Sequence, residues 1–357
     1  MARALELARA MLGRTSPNPS VGCVLVRGGK VVAEGATQAG GRPHAEAVAL
    51  AKAGTRARGS TAYVSFEPCA HFGQTPPCAD ALVEAGVSRV VVGCVDPFPR
   101  VRGRGLKKLR AAKIPITVGV LEDECRRLNE GFITRLATGR PFGLLKLAMS
   151  LDGRIAALGG DSRWISSEPS RELVHRWRSE CDAIMVGAGT VRADDPRLTS
   201  RVAGGRDPVR VIIDPKLSTS PRALVYRERS SARAILVTSK SNVRRAADRY
   251  ASARVGILGA PERRGELDLR WVMQEFGGRG WNRVLVEGGA HLAASALRAG
   301  VVDRVAFFVA PRLVGAGLSA IEGLDTRRIR DGIALEQMSV RELGGDLLVE
   351  AAIRHRG

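Results

Sequence analysis

A histidine, a glutamate and two cysteines stand in an order that can build a hydrolytic metal site: His44-Ala45-Glu46, then Pro68-Cys69, then Pro77-Cys78. Imidazole and thiolate are ligands that zinc takes readily, and a catalytic zinc uses three protein ligands and keeps a fourth position for water. His44, Cys69 and Cys78 supply such a set. Glu46 is then free to act on protons, taking one from water and handing it to a leaving group. Zinc lowers the pKa of water from about 15.7 to about 7, so hydroxide is available near neutral pH. Glu46 argues against a purely structural zinc, which closes with four ligands and needs no base. The plainer alternative makes His44 a helix cap and the cysteines inert core residues. It leaves the ordered coincidence of three features to chance.

These side chains need particular elements to bring them together. Positions i and i+2 do not share a face of a long helix, so His44 and Glu46 can serve one metal only at a helix start, and Pro43 fits such a start. The pattern predicts a helix over His44–Ala53, stopped by Gly54. Cys78 opens another helix, over Cys78–Ala85, whose positive end favours thiolate. Val21–Val26 and Lys30–Glu34 read as strands joined at Gly28-Gly29, a hairpin signal. Thr61–Ser65, Arg89–Cys94 and Ile116–Val118 read as further strands, with a helix over Gly105–Ala112 and one helix from Glu122 to Ala137. This is the alternation of a layered α/β sheet.

The polar Thr138-Gly139-Arg140-Pro141 marks a domain boundary, giving domains 1–139 and 140–357. Beyond it the alternation begins again. Strands are predicted over Leu144–Met149, Ala183–Val186, Val209–Ile213, Ala234–Val237, Arg254–Leu258, Arg283–Val286 and Arg304–Val309. Helices are predicted over Pro169–Arg178, Leu269–Phe276 and His291–Ala299. Two strands end in glycines, Val186-Gly187-Ala188-Gly189-Thr190 and Glu287-Gly288-Gly289-Ala290. Glycine lets a backbone approach a phosphate, and the following helix offers free N–H groups. Neither run is the Gly-x-Gly-x-x-Gly of a dinucleotide-binding Rossmann fold, and each alone also suits a turn without a ligand.

Bulk properties set outer limits. A chain of 357 residues with 45% hydrophobic content fits two globular domains. No stretch reaches the ~18 consecutive apolar residues of a membrane span, and the amphipathic MARALELARAML reads as a surface helix of a cytoplasmic protein. The six cysteines are dispersed, which favours metal or catalytic use over a disulfide framework. Cys23, Cys94 and Cys125 read as small buried apolar residues. The net charge of +20 fits nucleic acid, phosphorylated small molecules or a compositional bias toward arginine on solvated faces. Against nucleic acid, aromatics are only 4%, and single strands are usually stacked on aromatic side chains.

His-x-Glu followed by two cysteines resembles the zinc base deaminases, whose second motif is Pro-Cys-x-x-Cys. Here eight residues, Ala-His-Phe-Gly-Gln-Thr-Pro-Pro, separate Cys69 from Cys78. With this insert the chain resembles the bifunctional deaminase/reductases of riboflavin biosynthesis. The resemblance rests on Thr15-Ser16-Pro17-Asn18-Pro19-Ser20-Val21-Gly22, His44-Ala45-Glu46, the run from Glu67 to Cys78, Asp96-Pro97 and Gly103-Arg104-Gly105. It continues in Lys146 to Arg154, Ser162-Arg163-Trp164-Ile165, Gly189 to Pro196 and Val286-Glu287-Gly288-Gly289. The chain departs from the family pattern at Gln74, Phe98 and Arg102. These positions bear on ribose-phosphate contact and not on the deamination chemistry.

The resemblance implies a cytidine-deaminase-like three-layer domain followed by a dihydrofolate-reductase-like domain. It implies zinc-dependent deamination of 2,5-diamino-6-ribosylamino-4(3H)-pyrimidinone 5′-phosphate, then NADPH-dependent reduction of the ribosyl group to ribityl. Carried over by position, the metal ligands are His44, Cys69 and Cys78, and Glu46 is catalytic. NADPH contacts fall on Ala148, Trp164, Thr190, Asp194 and the run Gly289, Ala290, His291, Leu292, Ala293, Ala294 and Ser295. Substrate contacts fall on Ser162, Arg178, Leu198, Arg201 and Glu287, with Arg178 and Arg201 suited to a phosphate; Asn18 and Asp96 are further substrate candidates, and His71, inside the insert, reads as a substrate contact ahead of a fourth zinc ligand or a solvated loop residue. Lys146 is expected in the reductase pocket. The implied partner is a small phosphorylated pyrimidine, with no nucleic acid and no membrane, acted on by a homo-oligomer. A tRNA-type base deaminase, a non-catalytic zinc protein and a fusion with one inactive half are the competing readings.

Overall fold

The computed structural model describes all residues except 71, 73–75, 99–100, 231, 264 and 355–357. They fall into two compact units, Met1–Gly139 and Arg140–Gly357. No helix among the described residues is long and apolar enough to cross a membrane.

The first unit runs α1 (Ala2–Arg9), β1 (Gly22–Arg27), β2 (Lys30–Ala36), α2 (Ala45–Ala53), β3 (Thr61–Phe66), α3 (Cys78–Glu84), β4 (Arg89–Cys94), α4 (Arg104–Ala111), β5 (Ile116–Val118), α5 (Glu122–Leu128) and α6 (Glu130–Thr138). Its five strands are ordered β2-β1-β3-β4-β5. β1 pairs antiparallel with β2 and β3, and β3, β4 and β5 are parallel. Gly28 and Gly29 both have positive φ, 54° and 73°, as a tight hairpin needs. The alanine-rich inner face of α2 lies on β2, and Gly35 makes this possible. A Cβ there would sit 2.2 Å from the Ala45 carbonyl oxygen. This close approach fixes where α2 begins, and so where His44 stands.

The single helix expected from Glu122 to Ala137 is instead two. The break falls at Asn129, whose side chain is buried and spent on a distant strand approach. Its Oδ1 accepts from the Ser20 N–H at 2.9 Å, and its Nδ2 donates to the Ser20 carbonyl at 3.0 Å. Two hydrogen bonds across the fold thus outweigh continuity of one helix.

The second unit runs β6 (Phe142–Ser150), β7 (Arg154–Ala157), α7 (Glu168–Glu180), β8 (Ala183–Gly187), α8 (Ala188–Asp194), β9 (Val209–Ile213), α9 (Leu224–Arg227), β10 (Ala234–Ser239), α10 (Val243–Arg249) and β11 (Val255–Ala260). It continues through β12 (Glu262–Arg263), β13 (Glu266–Leu267), α11 (Leu269–Gly278), β14 (Arg283–Val286), α12 (Ala290–Arg298), β15 (Arg304–Ala310), β16 (Gly317–Ser319), β17 (Leu335–Leu343) and β18 (Asp346–Ile353). Nine strands form one sheet, ordered β11-β10-β9-β8-β14-β6-β15-β18-β17. The first seven in that order are parallel, and β18 and β17 close the edge antiparallel. Parallel strands are covered on both faces, so they read as unbroken apolar runs such as Ala183-Ile184-Met185-Val186, all fully buried. The β17–β18 hairpin was not read from the sequence, because the exposed face of β17 has no regular alternation. Its turn, Gly344-Gly345, has φ of 61° and 88°.

Candidate active sites

The first site is built from two helix starts and the end of one strand. His44 is the N-cap of α2, Glu46 lies in its first turn, and Cys78 is the first residue of α3. Cys69 follows β3. The ring Nδ1 of His44 is 3.6 Å from Cys69 Sγ and 3.4 Å from Cys78 Sγ. One donor atom from each of these three residues falls within 4.8 Å of the others. That donor set and spacing fit a zinc ion with three protein ligands and one open position. The Cys78 backbone N–H also donates to Cys69 Sγ at 3.3 Å. Cys69 is the acidic member of the thiol pair, drawn down to about 4 first by the hydrogen bond from Cys78.

Glu46 is buried, with 3% of its surface exposed. Burial, followed by the charge of Cys69, pushes its carboxyl up to about 7. The remaining candidates flank this centre. Asn18 donates from Nδ2 to the Gly41 carbonyl at 2.8 Å, three residues before His44. Asp96 follows β4, is buried, and accepts from the Phe98 N–H at 2.8 Å. His71 and Gln74 lie outside the described residues.

Sequence reasoning missed Glu67. Its buried carboxylate accepts from three backbone N–H groups, those of Asp96 at 3.2 Å, Gly103 at 3.0 Å and Gly105 at 3.1 Å. It ties the segment carrying Asp96 to the loop that delivers Cys69. Gly105 completes the seam, since a Cβ there would lie 1.9 Å from the Pro68 carbonyl oxygen. The one hint in the sequence was an acid at a strand end, directly before Pro68-Cys69; its backbone partners leave no trace there. Cys23, Cys94 and Cys125 are fully buried, and all six cysteines are free.

The second site lies in the other unit, a cavity of about 1320 Å³ along the C-terminal ends of the parallel strands, where open α/β sheets bind ligands. Its polar centre joins β6, α7 and β14. Arg178 holds Glu287 bidentately, Nε to Oε1 and Nη2 to Oε2, both at 2.8 Å. Its Nη1 donates to the Thr199 carbonyl at 3.1 Å. The expectation of Arg178 as a phosphate clamp is therefore revised: its fork is occupied by a buried carboxylate. Arg201 lines the same cavity, is exposed, and makes no ion pair among the described residues. Burial would raise the Glu287 carboxyl, but Arg178 and Lys146 outweigh it and hold the group below its ordinary range. Burial lowers the Lys146 ammonium, with Glu287 opposing. Burial and the nearby Arg178 and Arg201 also lower His175.

Most of the remaining candidates line this cavity: Ala148, Ser162, Trp164, Thr190, Asp194, Leu198, Gly289, Ala290, His291, Leu292 and Ser295. Ser162 Oγ donates to Asp194 Oδ1 at 3.4 Å, and the Gly289 N–H donates to Thr190 Oγ1 at 3.1 Å. Trp164 is 66% exposed at the rim, with the Arg171 guanidinium 4.7 Å from its ring centre. Ala293 and Ala294 are corrections. Both are fully buried and neither lines the cavity. Seven consecutive residues cannot share one side of a helix, and these two fall on the core side of α12. The cavity fits a dinucleotide: its volume exceeds a drug-sized site of about 300–1,000 Å³, and the backbones of Gly187, Gly189, Gly288 and Gly289 line its middle.

Comparison with known proteins gives two domain matches and full-length relatives. Residues 141–349 match the RibD C-terminal domain, and residues 1–94 match the cytidine and deoxycytidylate deaminase zinc-binding region. The riboflavin biosynthesis protein RibD of Aquifex aeolicus is 41% identical over 98% of this chain and 96% of its own. That of Escherichia coli K12 is 40% identical over 97% of this chain and 96% of its own. A Thermotoga maritima structure described as a diaminohydroxyphosphoribosylaminopyrimidine deaminase/5-amino-6-(5-phosphoribosylamino)uracil reductase is 37% identical. It superposes with a TM-score of 0.87, covering 99% of this chain and 97% of the other. Acinetobacter baumannii RibD, form 1, gives 0.85 at 35% identity, covering 99% and 98%.

Proposed function

The chain belongs to the RibD family, the bifunctional deaminase/reductases of riboflavin biosynthesis, and we propose that its two reactions run at two separate sites, one in residues 1–139 and one in residues 140–357. The chain is a zinc-dependent deaminase of diaminohydroxyphosphoribosylaminopyrimidine and an NADPH-dependent reductase of 5-amino-6-(5-phosphoribosylamino)uracil. The observation that carries the two-site reading is the convergence of His44, Cys69 and Cys78 beside buried Glu46, in a different unit from the Lys146–Glu287–Arg178 cavity.

In the first site His44, Cys69 and Cys78 would hold zinc. Zinc acidifies water and so supplies a nucleophile near neutral pH. Glu46 takes a proton from the attacking water and gives it to the departing amino group, which leaves as ammonia. Its burial keeps that proton within the site. Asn18 and Asp96 bind the substrate from the flanking loops, and Glu67 holds Asp96 in place.

NADPH bound in the second site would supply a hydride equivalent to the sugar C1′. A proton must then reach the ring oxygen that is released as a ribityl hydroxyl. Lys146 is the donor, since its buried ammonium gives up a proton more readily than a solvated one. Glu287, fixed by Arg178, orients the substrate, and Arg201 takes its phosphate. Thr190, Asp194, Trp164 and the start of α12 hold the cofactor.

Two further proposals complete the reading. The exposed apolar residues of edge strand β17, Leu335, Met338 and Val340, support a homo-oligomer, and light scattering tests it. The six free cysteines support a reducing, cytoplasmic setting. The test of the whole reading is to incubate the protein with the diaminopyrimidine phosphate, with and without NADPH. Ammonia and the deaminated ribosyl product are expected without NADPH, and the ribityl product with it. Ribityl product formed with no ammonia released would overturn it.

A further inference from the structure

One wall of the reductase cavity is the segment between β7 and α7, where Ser162, Arg163, Trp164, Ile165 and Ser166 all line it. Trp164 is the largest of these side chains. A buried ring is held in place by the core around it, and an exposed ring lacks that support. Trp164 is mostly exposed, and its ring meets the Arg171 guanidinium. Its place on the wall is therefore set by the backbone on either side.

The two ends of the segment are held by different elements. At its start, Ser162 Oγ bonds Asp194 Oδ1, and Arg163 Nη2 donates to the Asp194 carbonyl at 2.8 Å, both reaching α8. At its end the chain enters α7 through Ser167, and there a turn from the edge of the sheet grips it. Asp346, the first residue of β18, is buried. Its Oδ2 accepts from the Ser167 N–H at 2.7 Å and from Ser170 Oγ at 2.6 Å. Leu343, paired with Asp346 across the β17–β18 turn, accepts on its carbonyl from Ser167 Oγ at 3.2 Å. The fit is close, since a Cβ on Gly344 would stand 2.6 Å from Pro169 Cγ. The helix does not need Asp346 as a cap, because Ser167 Oγ already accepts from the Ser170 N–H at 3.4 Å. What Asp346 fixes is the peptide that leads out of the segment, three residues from Trp164.

We propose that Asp346 is a positioning residue of the reductase: from the β17–β18 turn it holds the Ser162–Ser166 segment, and with it Trp164, in the binding-ready place before NADPH arrives. A segment held in its bound conformation spares the binding step an ordering cost. Losing the hold should weaken NADPH binding and leave turnover at saturation close to its ordinary value. The assignment rests on the reading of Trp164 as a cofactor contact.

The test is a double-mutant cycle in the full chain with D346A, W164A and the double variant, read by the calorimetric Kd for NADPH and by KM and kcat for NADPH oxidation. D346A should raise Kd and KM by about tenfold, with kcat nearly unchanged and ammonia release unaffected. D346N, whose amide oxygen still accepts from Ser167, should restore most of the affinity. Because Asp346 acts through the segment that carries Trp164, the double variant should bind NADPH no more weakly than W164A does. Should D346A fail to fold, the cycle is run with S170A, which removes one of the two hydrogen bonds to Asp346 and should raise Kd by about threefold. An unchanged Kd, a loss confined to kcat, or effects that add fully to those of W164A would overturn the assignment while the Trp164 reading stands. If W164A itself binds NADPH as the unaltered protein does, the Trp164 reading fails, and this assignment with it.

Discussion

The two sites of this chain hold a phosphorylated pyrimidine against a reagent with opposite architectures. The first packs its chemistry into three donor atoms within 4.8 Å and one buried carboxylate, delivered by two helix starts and a loop. The second spreads along a cavity of about 1320 Å³ whose walls come from four strand ends and the helices after them. A metal concentrates catalytic power at one point, so few residues matter and each matters greatly. A dinucleotide must be held along its length, so binding is shared among many contacts of smaller individual weight. The comparison predicts a steep ranking of mutational effects in the first unit and a shallow one in the second.

The largest effect is expected at Glu46. E46Q keeps the shape of the site but cannot shuttle a proton, so ammonia release should fall by about 10²–10⁴-fold with zinc retained. Ammonia assay and elemental analysis on the same sample check both halves. Next come C69S and C78S, in which a hydroxyl replaces a thiolate ligand. Zinc per chain should drop well below one, and ammonia release should fall with it. One tightly bound zinc persisting in both variants would break the ligand assignment.

In the second unit the sharpest contrast lies between two arginines. R178A strips buried Glu287 of its bidentate partner, at a cost of about 3–5 kcal/mol. Trp164, Trp177, Trp271 and Trp281 all lie in this unit, so tryptophan fluorescence during urea unfolding reads it selectively. R201A removes an exposed residue with no ion pair among the described residues and should shift that transition by no more than about 0.5 kcal/mol. It should weaken ribose 5-phosphate binding by about tenfold, measured by calorimetry. Equal destabilisation by the two would contradict the division between a structural clamp and a phosphate contact.

The same contrast explains what could be read in the sequence. The zinc site was legible because its residues are close along the chain and their chemistry is distinctive: His44 and Glu46 two apart, and Cys69 and Cys78 each after a proline. The strands were legible where burial on both faces leaves a short apolar run, Val284-Leu285-Val286 and Val211-Ile212-Ile213, in strands Arg283–Val286 and Val209–Ile213, whose limits match the structure. What escaped depends on partners far away in sequence. Asn129 breaks a helix because of Ser20, and Arg178 is occupied because of Glu287, 109 residues distant. Glu67 holds a loop about thirty to forty residues downstream through backbone N–H groups, which carry no sequence signature. Ala293 and Ala294 were assigned by position along a run, and helical geometry turned them inward.

The central claim is that the two reactions use separate residues in separate units. The most direct measurement takes E46Q and R201A and follows both half-reactions on each. These are ammonia release from the diaminopyrimidine phosphate and NADPH oxidation with the already deaminated substrate. The account predicts a crossing pattern: E46Q loses ammonia release and keeps NADPH oxidation, whereas R201A keeps ammonia release and loses NADPH oxidation at low substrate. Equal loss of both activities in either variant would contradict it.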